Sequence, residues 1–404
     1  MDRKPDLLFL TQRIPYPPNK GEKIRALQIL LHLRQRYAVH LGCLIDDPHD
    51  MVHVETVRAL CADAYFAPLD RRRAKRACLR GLLTGEALSV IFFRDRGLAS
   101  WVRRTLRDIR PVAIVVFSSN MAPYVLDCAT GGAVRLVDLT DVDSEKWRAY
   151  ADTGSLPMRW VHRREWRKTA ALEARIAREC DWSTFVSTEE AQLFTRLHPD
   201  CAPRIRAISN GVDAVYFDPA LPQDRLYDTD RPNYVFTGAM DYPPNIDAVI
   251  WFARAILPLI RRTRPDAQFH IVGSSPAPSV QKLAQIAGVF VTGRVADVRP
   301  YVAHATACVA PMRIARGIQN KVLEAMAMAR PVVVTHDALE GIDALPGQEV
   351  LLADGEADFA AACLAALDPS ARAIGAAARR RVLADYIWSE RMRGFDALLE
   401  RQPT

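Results

Sequence analysis

Residues 309–335 read VAPMRIARGIQNKVLEAMAMARPVVVT, and three physical demands meet in that window. Val309 and Ala310 close a short apolar, β-rich run, and Pro311 to Gln319 then form an irregular loop carrying Arg313, Arg316 and Gly317. From Asn320 onward, Val322, Leu323, Met326 and Ala329 recur at helical spacing among Ala, Met, Leu and Glu, all strong helix formers. Arg330-Pro331 stops that helix, because proline crowds the helical conformation of the residue before it, and Val332–Thr335 reads as a buried parallel strand. The result is a strand, loop, helix, strand unit whose loop ends at a helix N-terminus. Free backbone N–H groups and the positive pole of the macrodipole make such an end suited to a phosphate. Gly317 allows close backbone approach, and Lys321 adds a mobile cation in the first turn, where a lone lysine weakens the helix slightly. Glu324 follows one turn later, where a carboxylate can accept two hydroxyl hydrogen bonds from a ribose. The plainer alternative is an ordinary helix after a strand, with Arg316 and Lys321 merely solvated.

The same residues resemble the donor site of glycosyltransferase family 4, retaining sugar transferases of the GT-B fold. That family carries two glutamates eight positions apart, the first near the donor sugar and the second on the ribose, followed by A-M-A, a small residue and P-V-V. Glu324, Ala325–Ala327 and Pro331–Val333 match the second half of the pattern, whereas Arg316 stands where the first glutamate belongs. The wording RIARGIQNKVLEAMAM is similar to a narrower group, the sugar transferases that accompany PEP-CTERM export and exopolysaccharide gene clusters. The resemblance implies a donor site built from Arg313, Arg316, Gly317, Gln319, Asn320, Lys321 and Glu324.

The chain has 404 residues with 50% hydrophobic composition, enough for two α/β domains that each bury a core. Its opening run, MDRKPDLLFLTQRIPYPP, holds too short an apolar stretch for a secretion signal. No run approaches the ~20 apolar residues of a membrane span, and AVIWFARAILPLI is broken by Arg254 and Pro258. The expectation is a cytoplasmic protein, or one bound peripherally to the inner face of the plasma membrane. Eight cysteines are scattered without any C-x-x-C pair, which argues against zinc and against a disulfide framework.

Charge is unevenly shared: residues 1–200 hold 32 Lys+Arg and 25 Asp+Glu, and the remainder hold 22 of each. The densest basic run is Arg71–Arg80, RRRAKRACLR. Aromatic residues are not interleaved as stacking platforms and no recognition module is visible, so nucleic acid is not expected. An anionic lipid surface and a plain solvated arginine-rich face both remain open.

Strands and helices alternate along the first half, as a parallel sheet requires. Asp6–Thr11 reads as a strand, RIPYPPNKG (residues 13–21) as a stiff loop, and Glu22–Arg36 as an amphipathic helix burying Ile24, Leu27, Leu30, Leu31 and Leu33. In family 4 this loop belongs to the phosphate and acceptor side of the cleft, and Gly21 with Lys23 and Arg25 would match it; a plain turn is the alternative. Val112–Phe117 and Ala133–Val137 read as further strands ending in SSNMAPY and DLTDVDSEKW. Asp141-Val142-Asp143 has the D-x-D form of metal-dependent sugar transferases, but two carboxylates underfill a divalent cation's shell. The narrower group has a similar D-x-x-D-V-D-S-x-K-W segment. Asp141 is a candidate to orient the acceptor hydroxyl, with helix capping as the structural alternative. Ser187-Thr188-Glu189-Glu190 has the spacing of a capping box.

N-G-V-D at Asn210–Asp213, followed by Tyr216-Phe217, resembles what family 4 carries at the crossing between its domains, with Gly211 supplying a turn. NYVFTGAMDYPPN (residues 233–245) resembles the first strand and loop of the donor domain and places Gly238 beside the donor. The Arg and Lys that many members use there are replaced by Ala239 and Pro244. VTGRVADVRPY (residues 291–301) resembles the loop that holds the nucleotide base by backbone contacts near Arg294 and Val295. Ile387–Arg401 resembles the final helix that crosses back to the first domain.

These readings predict an α/β chain of GT-B type, two doubly wound Rossmann-like domains facing across a cleft. Residues 1–208 form the acceptor side, 209–385 the nucleotide-sugar donor side, and 386–404 the returning helix. The implied activity is retaining transfer of a sugar from a nucleotide-sugar to a saccharide, free or polyprenyl-linked, in exopolysaccharide biosynthesis. Asp141, Arg316 and Lys321 are the candidate catalytic residues, and no metal or other cofactor is expected. A GT-B isomerase and a non-catalytic binding or scaffold protein of an export assembly are the alternatives.

Overall fold

The computed structural model describes residues 3–18, 20–153, 156–315 and 318–400. The chain divides into two compact units: one runs to Ser209 and takes in the chain again from Met392, and the other is Asn210–Arg391.

The first unit is built on a seven-stranded, all-parallel sheet. Its strands are β1 (Asp6–Thr11), β2 (Ala38–Ile45), β3 (Asp63–Pro68), β4 (Ala113–Phe117), β5 (Val134–Thr140), β6 (Trp182–Phe185) and β7 (Ile205–Ala207). They lie in the order β3-β2-β1-β4-β5-β6-β7, the doubly wound arrangement in which the chain reverses direction between β1 and β4. Leu7 to Leu10 and Ala113 to Val116 are at most 1% exposed, as strands covered on both faces demand.

The helix Gly21–Arg36 buries Ala26, Leu27, Ile29, Leu30 and Leu33, but also Lys23 and Arg25, while Ile24 and Leu31 are only half-buried. The reason is charge pairing. Lys23 Nζ lies 2.6 Å from Asp50 Oδ2, and Arg25 donates from Nε (2.6 Å) and Nη2 (3.0 Å) to the two oxygens of Asp138. Asp138 also accepts from the Thr184 hydroxyl at 2.8 Å. The strand β5 therefore runs three residues past the expected Val137, because Asp138 is neutralised inside the core instead of solvated in a loop.

From Met392 the chain packs back onto the first unit. His32 Nε2 is 3.0 Å from Asp396 Oδ1, and Arg36 pairs with Asp396 and Glu400. A side chain on Gly394 would meet Ile208 at 3.1 Å.

The second unit has a six-stranded parallel sheet of β8 (Asn233–Thr237), β9 (Gln268–Val272), β10 (Val289–Gly293), β11 (Ala307–Ala310), β12 (Val332–Val334) and β13 (Leu351–Leu352). The order is β10-β9-β8-β11-β12-β13, so this sheet reverses between β8 and β11. Tyr234, Phe236, Phe252, Phe269 and Phe359 are 0% exposed, each worth roughly 1.5–3 kcal/mol of apolar burial. Gly211 is not a left-handed turn. A Cβ there would lie 2.6 Å from the Trp388 amide nitrogen, and the neighbouring Val212 N–H donates to the Tyr386 carbonyl at 2.7 Å, so the glycine is needed for close passage of two backbones.

Candidate active site

In the second unit the loops after β8 and β11 flank the switch point, the place where an open α/β sheet offers a crevice at its carboxyl edge. The opening stretch folds here as expected: β11, a loop, the helix Asn320–Ala327 and β12. The helix buries Val322, Leu323, Ala325, Met326 and Ala327 and leaves Lys321 and Glu324 half-buried on its other side. It ends at Ala327, four residues before Pro331. Ala329 takes a left-handed conformation (φ 52°), and its carbonyl fits only because Gly375 faces it; a Cβ on Gly375 would stand 2.2 Å from that oxygen.

Lys321 crosses the switch point. Its Nζ donates to Asn245 Oδ1 at 3.0 Å and to Gln319 Oε1 at 3.3 Å, and lies 4.9 Å from the centre of the Phe236 ring. Asn245, 5% exposed, turns its amide to the Ala239 carbonyl at 2.9 Å. One side chain thus fixes the loop after β8 and the lysine of the helix that follows β11. Among the described residues the Glu324 carboxylate makes no hydrogen bond. Burial lowers the Lys321 ammonium to about 8 against the opposing pull of Glu324. Burial also raises the Glu324 carboxyl to about 7, with Lys321 acting in the other direction. A bound polyanion would restore the first charge, and hydroxyl donors would restore the second.

The floor is backbone. Gly238 follows β8 and Gly273 follows β9, and a Cβ on Gly273 would fall 1.6 Å from the Gly238 carbonyl oxygen. The Gly238 N–H donates to Val272 O at 3.0 Å, and that of Met240 to Ser274 O at 2.8 Å. Only paired glycines let the two strand ends close this tightly.

The other expected donor-side residues fare differently. Gln319 and Asn320 sit at the junction of loop and helix, with Gln319 at the N-cap position. The Arg313 guanidinium is already engaged, held by both oxygens of Asp247 (3.0 and 2.5 Å) and lying over the Trp251 ring. Arg294 is exposed, and Val295 packs half-buried against the core. Arg316 and Gly317 lie outside the described residues.

At the carboxyl edge of the first unit, Gly21 begins its helix in open space, with nothing within 4 Å of a Cβ there. Lys23 and Arg25, expected beside it as phosphate ligands, are instead spent in the buried pairs described above. Asp141 and Asp143 share one cation: Lys146 Nζ is 2.7 Å from Asp141 Oδ2 and 3.1 Å from Asp143 Oδ1. Burial works against the Lys146 charge, but the two carboxylates outweigh it and hold the ammonium above its ordinary range. Among the described residues no group of three or more His, Cys, Asp or Glu side chains gathers to hold a metal ion. Ser187 accepts from the Glu190 N–H at 3.2 Å, the serine half of the expected capping box, and the Glu190 carboxylate reaches the Val142 N–H at 2.6 Å and so steadies the Asp141 loop.

Sequence reasoning missed several residues here. Asn120 after β4 donates to Gln12 after β1 at 2.7 Å, an amide pair across the first unit's switch point. Ser118 (φ 78°) and Thr140 (φ 68°) adopt left-handed conformations at the ends of β4 and β5, strain of the kind that gathers at functional edges. Asn245 carries no motif of its own; its one signal is an amide in a helix whose other residues, Asp247 apart, are apolar.

Two doubly wound parallel sheets with these strand orders define a GT-B fold, that of a large class of glycosyltransferases. Residues 231–369, which include β8 to β13 and the Lys321–Glu324 helix, match the family of glycosyl transferases group 1. Solved structures agree along the chain. HepE from Anabaena, in complex with UDP and glucose, superposes with a TM-score of 0.65 at 13% identity over 98% of this chain and 99% of its own. Sucrose-phosphate synthase from Thermosynechococcus elongatus gives 0.65 at 17% identity over 98% of each chain. A glycosyltransferase from Rickettsia africae ESF-5 gives 0.64 at 12% identity over 98% of each. No curated protein matches the chain by sequence.

Proposed function

We propose that the chain transfers a sugar from a nucleotide-sugar to a saccharide acceptor, free or lipid-linked, with retention of anomeric configuration. The observation that carries this reading is the Lys321–Glu324 helix at the switch point. It sets a desolvated cation and a carboxylate without a hydrogen bond one turn apart, above a floor of backbone at Gly238 and Gly273. Lys321 and the free N–H groups of the helix Asn320–Ala327 stabilise the charge of the departing diphosphate, and Glu324 takes the ribose hydroxyls. The departing phosphate oxygen itself removes the acceptor proton, and Asp141 orients the acceptor hydroxyl. Arg316 adds a bidentate guanidinium for the diphosphate or for an acidic sugar, a role that rests on its place in the sequence. Solved relatives that hold UDP make UDP-sugars the first donors to try.

Exopolysaccharide assembly at an anionic membrane surface is the setting we propose. The helix Arg71–Gly81 carries the basic run and leaves Leu79 and, just beyond it, Leu83 exposed. Arg164 donates to the Gly81, Leu82, Thr84 and Glu86 carbonyls, fixing that helix end against the helix Met158–Glu179, where Met158 and Trp160 are also exposed. No described helix is long and apolar enough to cross a membrane. Basic side chains beside apolar ones suit attachment to anionic lipid.

The deciding experiment is incubation with a panel of nucleotide-sugars, with and without saccharide and polyprenyl-linked acceptors. Release of nucleoside diphosphate only in the presence of an acceptor is expected. Tight donor binding without turnover on any acceptor would overturn the enzymatic reading.

A further inference from the structure

The second sheet has another polar concavity, at its opposite edge. A cavity of about 420 Å³ opens where the strands begin, and its lining follows the sheet order. Arg264 precedes β9, Arg231 precedes β8, Thr306 precedes β11 and Arg330 precedes β12; Arg372, from the helix Ala371–Asp385, and Arg225 complete it. Five arginines face two aspartates, Asp230 and Asp368, around one space.

Not all of that charge is available. Arg231 is paired with Asp228 at 3.0 Å, and Arg264 is held by both oxygens of Asp266 at 3.1 and 3.0 Å. Asp368 accepts the Ser370 N–H at 2.8 Å. Among the described residues Arg225, Arg330 and Arg372 make no ion pair and no side-chain hydrogen bond. Arg330 is the informative one, because its Nε is shut away from solvent with no acceptor. Burial, with Arg372 nearby as a like charge, holds its guanidinium below the usual range. Shutting part of a cation away from water without a counter-charge is costly, and a neutral residue before Pro331 would avoid that cost. With Asp230 and Asp368 set against Arg225, Arg330 and Arg372, the lining keeps a net positive charge that a bound anion would balance.

We propose that this cavity binds a phosphoryl group, that of a phosphorylated small molecule or of free phosphate, at a site separate from the switch-point crevice. The planar forks of Arg330 and Arg372 match phosphate oxygens two at a time, which a lysine cluster would not. The cavity lies within the roughly 300–1,000 Å³ typical of small-molecule sites. The bound anion neutralises the Arg330 charge at the end of the segment that descends from the Lys321–Glu324 helix, whose Ala325 carbonyl accepts the Arg330 N–H at 3.1 Å.

The test is calorimetric titration with inorganic phosphate, pyrophosphate and ribose 5-phosphate, in a phosphate-free buffer of low ionic strength. It uses the full chain carrying Lys321→Ala, which weakens the front crevice for phosphate. Saturable binding of at least one probe is expected, weakened tenfold or more when Arg372→Glu is added. Arg372 is exposed, so that change leaves the fold intact, as thermal unfolding will verify; Arg330→Gln should act in the same direction. Tighter binding of ribose 5-phosphate than of inorganic phosphate identifies a phosphorylated metabolite as the ligand, and equal or weaker binding identifies the free anion; both carry the proposal. No saturable binding of any probe, or binding that Arg372→Glu leaves unchanged, overturns it. The same titrations on the parent chain should show a binding event that Arg372→Glu removes.

Discussion

Lys321 Nζ and Asn245 Oδ1 stand 3.0 Å apart, and this one contact ties the helix that follows β11 to the helix that follows β8 across the switch point of the second sheet. The lysine is thereby held toward the crevice, and among the described residues no carboxylate comes within ion-pair distance of it, though Glu324 one turn away still acts on its charge. In the segment after β8 this chain has Ala239, Pro244 and a buried amide that directs a cation from elsewhere.

Lys321→Ala should weaken binding of a nucleoside diphosphate by about 1.5–3 kcal/mol, the range of hydrogen bonds to charged groups. Asn245→Ala should weaken it less and lower the unfolding free energy by about 1–3 kcal/mol, because the Ala239 carbonyl loses its donor. Calorimetry and urea unfolding of the two variants check both statements. Full affinity in Lys321→Ala would remove the lysine from the donor site.

Glu324→Ala separates ribose from phosphate. Affinity for the nucleoside diphosphate should fall by about 1.5–3 kcal/mol, while affinity for pyrophosphate stays the same or rises with the loss of a negative charge. Equal losses for both ligands would argue against a ribose contact.

The pair also makes stability depend on pH. Glu324 keeps its proton in the folded chain up to about 7, above the ordinary carboxyl range, so its contribution falls as pH rises from about 4.5 to 7. Lys321 loses its proton in the folded chain at about 8, below the ordinary range, so its contribution rises from pH 8 to about 10.4. The two together are least favourable between 7 and 8. Ligand-free Glu324→Gln should therefore be more stable than the parent near pH 7.5, by about 1–3 kcal/mol, and equal to it below pH 4.5. Denaturant midpoints at both pH values decide it, and a parent as stable as Glu324→Gln near pH 7.5 would sink the idea.

Arg25 and Asp138 form a buried pair in which neither partner can be left alone. Arg25→Met should cost about 3–5 kcal/mol by stranding the Asp138 carboxylate; adding Asp138→Asn should recover part of that loss. A double variant no more stable than the single one would mean that the charge is not the issue.

Donor turnover is expected to survive EDTA, because Lys146 already occupies the carboxylates of Asp141 and Asp143. Activity abolished by EDTA and restored by manganese would make those aspartates metal ligands and displace Lys146 from its present role.

The alternation of strand and helix, the unit from β11 to β12 and the position of Glu324 were legible in the sequence, since apolar periodicity and proline punctuation are local signals. The pairing of charges was not. Lys23 and Arg25 look like phosphate ligands beside Gly21 until Asp50 and Asp138 arrive from distant segments. Arg313 looks free until Asp247 closes on it. A cation's partner is a property of the folded topology, and nothing in a basic residue's neighbours along the chain says whether it will be spent in the core. The Gly238–Gly273 apposition is hidden for the same reason, since nothing local to either glycine announces the other.

The return of the chain at Met392 bears on how the protein is made. The first unit holds seven strands encoded before Ser209, yet His32, Arg36 and Ile208 receive their last neighbours from residues beyond Met392. During synthesis that surface must wait uncovered while all of Asn210–Arg391 is translated, and closing so long an intervening loop carries an entropic cost that grows only slowly with its length. The first-made part of the molecule is therefore completed only after the second unit has been synthesised, so its last packing step waits on a segment encoded about 180 residues later.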